Sequence, residues 1–357
     1  MSTNFTNESL RSQGNCESST DSPPLKIGKL FLLSIILTFG LVGNVLIITL
    51  VRVREELRRK INSFIVNMAA SDLILPILLM PFSLKESAAN SSNYQWPIGG
   101  KLGSISCRLS IFLVAVSMTV SVQSLLWISL DRFMAVVMPL KAHLISSRFR
   151  AFAITSTWIV ALIINSVDLL TTKLVDYDAN FYCIREEITS WTINIFAYGR
   201  IVLVSIAPLI VITVLYSAIA VTLRRQNISL RCTAVKKNDQ RKRQAVKMSL
   251  CIIVSFNLCV TPYIVFGMAY LSGEKFPCSV NGLLGLFSVL GIYLSSTTNP
   301  LICFIFVKNY RRGLGRLFSL CPSKRRDTQN MVRERKMDET GIQIIEFNKL
   351  RKTDESP

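Results

Sequence analysis

A few polar side chains sit inside long apolar stretches, and their types limit the chemistry they can do. Asp72 lies in Asn67-Met68-Ala69-Ala70-Ser71-Asp72-Leu73, while Asn44, Ser121, Ser295 and Asn299 occupy comparable apolar surroundings. An ionisable group in hydrocarbon costs roughly 2.5–3.5 kcal/mol on insertion scales, so such groups turn inward and mark function by default. A carboxylate with hydroxyl and amide oxygens suits a proton or a small cation, which makes Asp72 the candidate metal ligand. The alternative is a water-bridged network that only joins helices, and the spacing is compatible with both. Asp131 and Arg132 adjoin at the end of another apolar stretch. An Arg there can exchange an internal pair with Asp131 for an incoming partner. Asp168 and Arg200 form a third set. They read either as a partly buried ion pair or as a site where Arg200 receives an acidic group of a ligand, bidentately; both hold if the ligand competes with Asp168. There is no nucleotide-binding loop, nucleophile triad or metal-ligand cluster, and His143 is the sole histidine. No catalytic residue is assigned.

The elements that must position these groups are membrane helices. Half of the residues are hydrophobic, and a helical span needs roughly 20 apolar residues. Seven stretches qualify: Gly28–Val51, Ser63–Leu84, Ser104–Val137, Phe152–Thr172, Trp191–Leu223, Ala245–Leu271 and Asn281–Val307. The expected fold is therefore all-α, a seven-transmembrane helix bundle. Its expected divisions are a tail at 1–27, the bundle at 28–307, a short amphipathic membrane-surface helix at 308–321 and a disordered cytoplasmic tail at 322–357. The formal net charge of +19 does not imply nucleic-acid binding, because of where the charge lies. Basic residues crowd the odd-numbered connections: Arg52 to Lys60 after span 1, Lys141, Arg148 and Arg150 after span 3, and Arg224 to Lys247 after span 5. By the positive-inside rule the N-terminus is extracellular and the C-terminus cytoplasmic, and much of the basic charge meets anionic lipid of the bilayer.

Span 3 carries a seam of Val114, Met118, Ser121, Leu125, Ile128 and Arg132. Steps of four and three keep one helix face. Its outer half offers Val114 and Met118 to a ligand pocket, and its inner end offers Arg132. Pro81, Pro208, Pro262 and Pro300 lie within spans, and each removes a helix hydrogen bond. The resulting kinks in spans 5, 6 and 7 are candidate hinges for an inner face that opens. Outside the bilayer, Asn4, Asn7 and Asn90 stand in glycosylation sequons. Four cysteines, Cys16, Cys107, Cys183 and Cys278, fall on the same side, where disulfides persist. Four thiols allow three connectivities.

Taken together and in order, these residues resemble the rhodopsin-like (class A) G-protein-coupled receptors over about residues 25–322. The matches are Gly43-Asn44, Asp72, Asp131-Arg132-Phe133, Trp158, Pro208 with Tyr216, Phe256 with Cys259 and Pro262, and Asn299-Pro300. Trp96 matches the first-outer-loop tryptophan. Cys107 and Cys183 match the family disulfide; Cys16 would then pair with Cys278 or stay free. The resemblance implies an extracellular ligand among the outer halves of spans 3, 5, 6 and 7, near Val114, Met118, Arg200, Tyr263 and Tyr293. It implies a heterotrimeric G protein at the inner face, with arrestin and a receptor kinase as further partners. Asp131, Arg132, Tyr216, Phe256, Pro262, Asn299 and Pro300 would carry the switch. Asn44, Asp72, Ser121, Ser295 and Asn299 resemble the family's pocket for an allosteric sodium ion, with no other cofactor. Cys321 resembles the palmitoylation site, and plasma-membrane residence follows.

The chain also departs from that family's pattern. Val260 stands at the switch tryptophan of span 6 and Cys303 at the tyrosine of Asn-Pro-x-x-Tyr. The inner end of span 6 offers Lys242 and Arg243, with no acid for Arg132. Appreciable basal activity, or a latch of another kind, is the expectation. Val114 replaces the aspartate of amine receptors, and span 7 lacks the retinal lysine of opsins. A neuropeptide-like ligand is favoured. The rival readings are a receptor-like decoy, a chemosensory receptor for a small anionic or lipid ligand, and, from another class, a transporter.

Overall fold

The structure is a computed structural model of the 357-residue chain. It describes residues 22–53, 62–89, 95–177, 180–185, 191–229, 233–272, 277–306 and 308–318. The sequons at Asn4, Asn7 and Asn90, together with Cys16, Cys321 and the tail 322–357, lie outside the described residues. Cys278 opens the span 7 helix, but its side chain, and with it a pairing to Cys16, also lies outside them. The chain divides into two units, Met1–Arg311 and Arg312–Pro357. The first holds seven helices long and apolar enough to cross a bilayer.

Most helices outrun the apolar stretches that predict them. Span 1 runs Pro23–Val53, span 3 Gly100–Val137 and span 6 Thr233–Leu271. Hydropathy marks the hydrocarbon core, whereas helical hydrogen bonds continue into the headgroup zone. The expected boundary at residue 28 moves accordingly to Pro23. Span 2 is three pieces, Asn62–Asp72, Ile74–Leu78 and Met80–Ala89, broken at Leu73 and Leu79. Pro76 and Pro81 lack the N–H groups that would reach the carbonyls of Asp72 and Ile77. In span 5, a π-helical turn at Val202–Ile206 precedes Ala207–Ser229, where Pro208 withholds a donor from the preceding turn. Pro262 and Pro300, by contrast, lie inside continuous helices.

Span 3 is the central element and packs against spans 2, 4, 5 and 6; span 1 packs against 2 and 7, and span 6 against 7. Two glycines permit close approach between helices. A Cβ on Gly43 would lie 2.8 Å from the Pro300 ring, and one on Gly291 would run into the Cys259 carbonyl oxygen. The main apolar core, including Ile47, Phe64, Leu125, Ile128, Ile219 and Phe256, fills the inner half. Large apolar side chains such as Phe31, Phe152, Val214 and Leu258 point outward, as a bilayer solvent requires. Spans 5 and 6 are the least buried and span 3 the most.

The outer loops add a small sheet that the all-α expectation omits. Strand β1, Gln95–Trp96, pairs with β3, Asn180–Arg185, which pairs with β2, Thr172–Tyr177; both pairings are antiparallel. A Cys107–Cys183 disulfide ties β3 to the outer end of span 3. Trp96 packs at a tilt against Phe82 and donates to the Ser106 hydroxyl at 3.0 Å. At the other end, the helix Lys308–Phe318 is strongly amphipathic. Tyr310 on it is a buried residue, set edge-on to Phe304. Burial and neighbouring Cys303 push its phenol pKa up, so the group stays neutral.

Candidate functional site

The residues expected to gather around Asp72 do so in part. Asp72 is buried. Its Oδ1 accepts from the Ser121 hydroxyl at 2.7 Å and its Oδ2 from the Asn299 amide at 2.7 Å. One carboxylate thus joins spans 2, 3 and 7. Ser71 lies 3.0 Å from Ser121, and Ser117 donates to the Ser71 carbonyl at 2.7 Å. Asn44 is one step removed: its amide donates to the Gly40 carbonyl at 2.8 Å and the Ser296 carbonyl at 2.9 Å. Ser295 turns to its own helix, donating to the Ile292 carbonyl at 2.7 Å. The Oδ1 atoms of Asn44 and Asn299 are buried with no hydrogen-bond partner among the described residues. The Asp72 carboxylate, the Ser121 hydroxyl on it and the unpartnered Oδ1 of adjoining Asn299 are all oxygen donors, the kind that hard cations take. The residues present therefore fit a sodium ion.

A second polar knot holds spans 2, 3 and 4 together. Trp158 donates through Nε1 to Asn67 Oδ1 at 2.9 Å, and the Asn67 amide donates to Ser124 at 2.9 Å and Thr157 at 3.4 Å. This knot carries no charge and explains Trp158 as a tie between helices.

The inner end corrects one expectation. Asp131 pairs with Arg150 of span 4, at 3.3 Å, and not with Arg132. Successive helix residues point in different directions, so i and i+1 do not face each other. Arg132 instead donates through Nε to the Ser249 hydroxyl of span 6 at 3.4 Å. The Tyr216 hydroxyl is buried close to Arg132 and Ser249. Span 6 makes two more inner contacts: Arg243 donates to the Leu223 carbonyl of span 5 at 2.9 Å, and Gln244 to the Phe306 carbonyl of span 7 at 2.5 Å. The bonds from Arg132, Arg243 and Gln244 described here thus end on neutral acceptors. Among the described residues, no hydrogen bond continues from Asn299 to Arg132; apolar Leu125, Ile128 and Phe256 belong to the core between them.

At the outer end, Asp168 is buried and receives two arginines. Arg200 Nη1 lies 2.9 Å from both carboxylate oxygens, and Arg185 Nη2 lies 2.8 Å from Oδ1. The expected Asp168–Arg200 pair is present, and Arg185 of β3 is an addition.

Seven spans, a buried carboxylate shared by spans 2, 3 and 7, and an Arg at the inner end of span 3 are the setting for comparison with known proteins. The family model "7 transmembrane receptor (rhodopsin family)" matches residues 43–303. The chain belongs to the rhodopsin family of seven-transmembrane receptors. It is similar to neuropeptide Y receptor type 1 of Xenopus laevis, at 26% identity over 82% of this chain and 81% of the relative. The QRFP-like peptide receptor of Branchiostoma floridae is 28% identical over 82% and 77%, and apelin receptor B of Danio rerio 28% over 78% and 79%. As a member of this family the protein is a multi-pass, G-protein-coupled receptor that answers an extracellular ligand and catalyses no reaction.

The receptor's expected pocket residues fall into separate places. Val114 and Tyr293 meet in one outer apolar cluster with Leu33, Ile36, Leu75 and Met80. Tyr293 is also hydrogen-bonded to Ser83 at 2.5 Å. Met118 packs against the main core, Arg200 is in the ion cluster, and Tyr263 is exposed at 38%. Val260 and Phe256 are buried in the main core with Cys303 and Tyr310. Arg150, Arg185 and Ser249 are functional neighbours that sequence reasoning missed. Arg150 reads as a positive-inside charge, and only its place in the first turn of span 4 hints that it faces span 3.

Proposed function

We propose that this receptor sits in the plasma membrane with its N-terminus outside, binds a peptide, and activates a heterotrimeric G protein through the inner ends of spans 3, 5 and 6. The relatives named for neuropeptide Y, a QRFP-like peptide and apelin support the ligand class. So does the sheet β1-β3-β2, which pairs the loop backbone within itself and exposes Lys173, Asp176 and Tyr177 at the outer end. A long ligand can lie against such a wall. Arrestin and a receptor kinase are the further partners on the inner side.

The observation that carries the switch is Arg132 held by Ser249. A neutral hydroxyl at 3.4 Å is a weak partner for a guanidinium. Differential ligand binding needs only to favour the arrangement in which Arg132 and Tyr216 are released to a G protein. Asp72, Ser121 and Asn299 would hold a sodium ion, which supplies one positive charge against the Asp72 carboxylate. That charge favours the arrangement in which Asp72 still joins spans 2, 3 and 7. Phe256, Pro262 and Pro300 lie between pocket and inner face and give span 6 and span 7 their path of movement.

The test is a peptide and metabolite library applied to cells that express the chain with several G-protein reporters. Saturable activation by a peptide, lost in Arg132→Ala, is the expected result. Solute flux without G-protein activation, or activation by metabolites alone, overturns the reading.

A further inference from the structure

The outer ends of spans 3, 4 and 5 gather more positive charge than the described residues neutralise. The Asp168 side chain, 3% exposed, takes Arg200 and Arg185. Arg108, next to the disulfide at the head of span 3, donates through Nη1 to the carbonyl of Leu169, the neighbour of Asp168, at 3.3 Å. Its Nε is buried without a hydrogen-bond partner among the described residues. Two guanidiniums therefore share one carboxylate, and a third is held on the backbone carbonyl of the next residue. Asp176, the other described acid of the hairpin, is not at this end of it: Asp176 pairs with Phe181, whereas Arg185 pairs with Thr172.

A purely structural ion pair needs one arginine. Bringing further cations beside a buried acid costs desolvation that the single carboxylate does not offset. The geometry also leaves capacity unspent. Both bonds from Arg200 come from Nη1 and the bond from Arg185 from Nη2, so each guanidinium keeps an edge outside the pair with Asp168. The Arg185 side chain is 42% exposed and opens this cluster to the outside.

We infer that Arg108, Arg185 and Arg200 form an anion site at the outer mouth that takes a carboxylate of the ligand, with Asp168 as the positioning residue that holds two of the guanidiniums. The inference rests on the reading of the chain as a peptide-activated receptor and specifies one group of that ligand, a free C-terminus or an acidic side chain. A planar carboxylate matches the guanidinium fork. The ligand shares the arginines with Asp168 and does not displace it, because a displaced Asp168 would be left charged and buried.

The test uses the full-length receptor in nanodiscs of neutral phosphatidylcholine, with sodium hexanoate as probe, hexanamide as its uncharged match, and sodium and ionic strength held constant. Hexanoate raises the melting temperature saturably and hexanamide does not. Arg185→Gln and Arg108→Gln each weaken the apparent affinity about tenfold, the loss of one charge-assisted hydrogen bond. The double variant Asp168→Asn/Arg200→Gln removes both charges of the buried pair and keeps the test readable if Arg200→Gln alone fails to fold. Equal effects of acid and amide, or a hexanoate effect unchanged in every variant, overturn the site. A second arm uses activating peptides as free acids and as amides carrying no other acid. Arg185→Gln lowers the potency of the acid about tenfold and leaves the amide unchanged. Peptides equally potent in both forms, with no hexanoate effect, overturn the site and leave the peptide reading standing. Arginine-dependent hexanoate binding with no activating peptide keeps the site and overturns the peptide reading. An arginine-dependent stabilisation by phosphatidylglycerol nanodiscs that hexanoate cannot add to assigns the cluster to a lipid headgroup and overturns the ligand assignment.

Discussion

Ser249→Ala combined with Gln244→Ala should make this receptor signal without ligand. The two side chains hold the inner end of span 6 to Arg132 of span 3 and to the Phe306 carbonyl of span 7. A hydrogen bond contributes about 0.5–1.5 kcal/mol net, so removing both shifts the closed arrangement by about 1–3 kcal/mol. At 1.4 kcal/mol per factor of ten, the closed-to-open ratio falls by about 5- to 150-fold. The 3.4 Å contact to Ser249 belongs at the low end, and the shorter Gln244 bond carries most of the effect. Arg243, which donates to Leu223, remains as the third tie and keeps the helix from splaying without limit. The assay is ligand-free nucleotide exchange on a G protein by purified receptor in nanodiscs, normalised to folded protein by thermal melting. Basal exchange rises in both single variants and most in the double. Wild-type exchange rates in a double variant that melts like wild type would refute the argument, because the ties would then not oppose opening.

Three further outcomes test the interior. Sodium should lower ligand-free exchange in wild type and leave Asp72→Asn unmoved; an identical sodium titration in both removes the ion from this pocket. Arg150→Gln strands a buried Asp131, at a cost of about 3–5 kcal/mol, and Asp131→Asn in the same chain recovers part of the lost melting temperature; no recovery means the pair is incidental. Gly291→Ala drives a Cβ into the Cys259 carbonyl oxygen and costs about 1–3 kcal/mol of overpacking, read as a lower melting temperature; an unchanged value means spans 6 and 7 separate easily.

The spans were legible because a bilayer demands a run of apolar residues that nothing else in the chain imitates. Their ends were not, since the helix of span 1 continues to Pro23 past the last strictly apolar residue. Asp72, Ser121 and Asn299 were legible as a group because polar atoms in apolar spans must find one another. Ser295 and Asn44 shared that signal but satisfy themselves on nearby carbonyls, a choice that depends on rotamer and helix rotation. The partner of Asp131 was hidden for the same reason: contact between spans 3 and 4 decides it, and spacing along span 3 says nothing of span 4. The hairpin left a readable trace in the β-branched and aromatic residues of 172–185, with Asp178 and Ala179 between its strands.

The touch of Gly291 on the Cys259 carbonyl has a mechanical meaning. A tilt of span 6 against span 7 would pivot at this point. Within its membrane-spanning part the helix extends from there ten residues outward to Ala269 and sixteen inward to Arg243, arms of about 15 Å and 24 Å at 1.5 Å per residue. A tilt about this point multiplies displacement roughly 1.6-fold from mouth to inner end, in proportion to the arms. The leverage comes from where a missing side chain lets two backbones meet, and it needs no tryptophan at position 260.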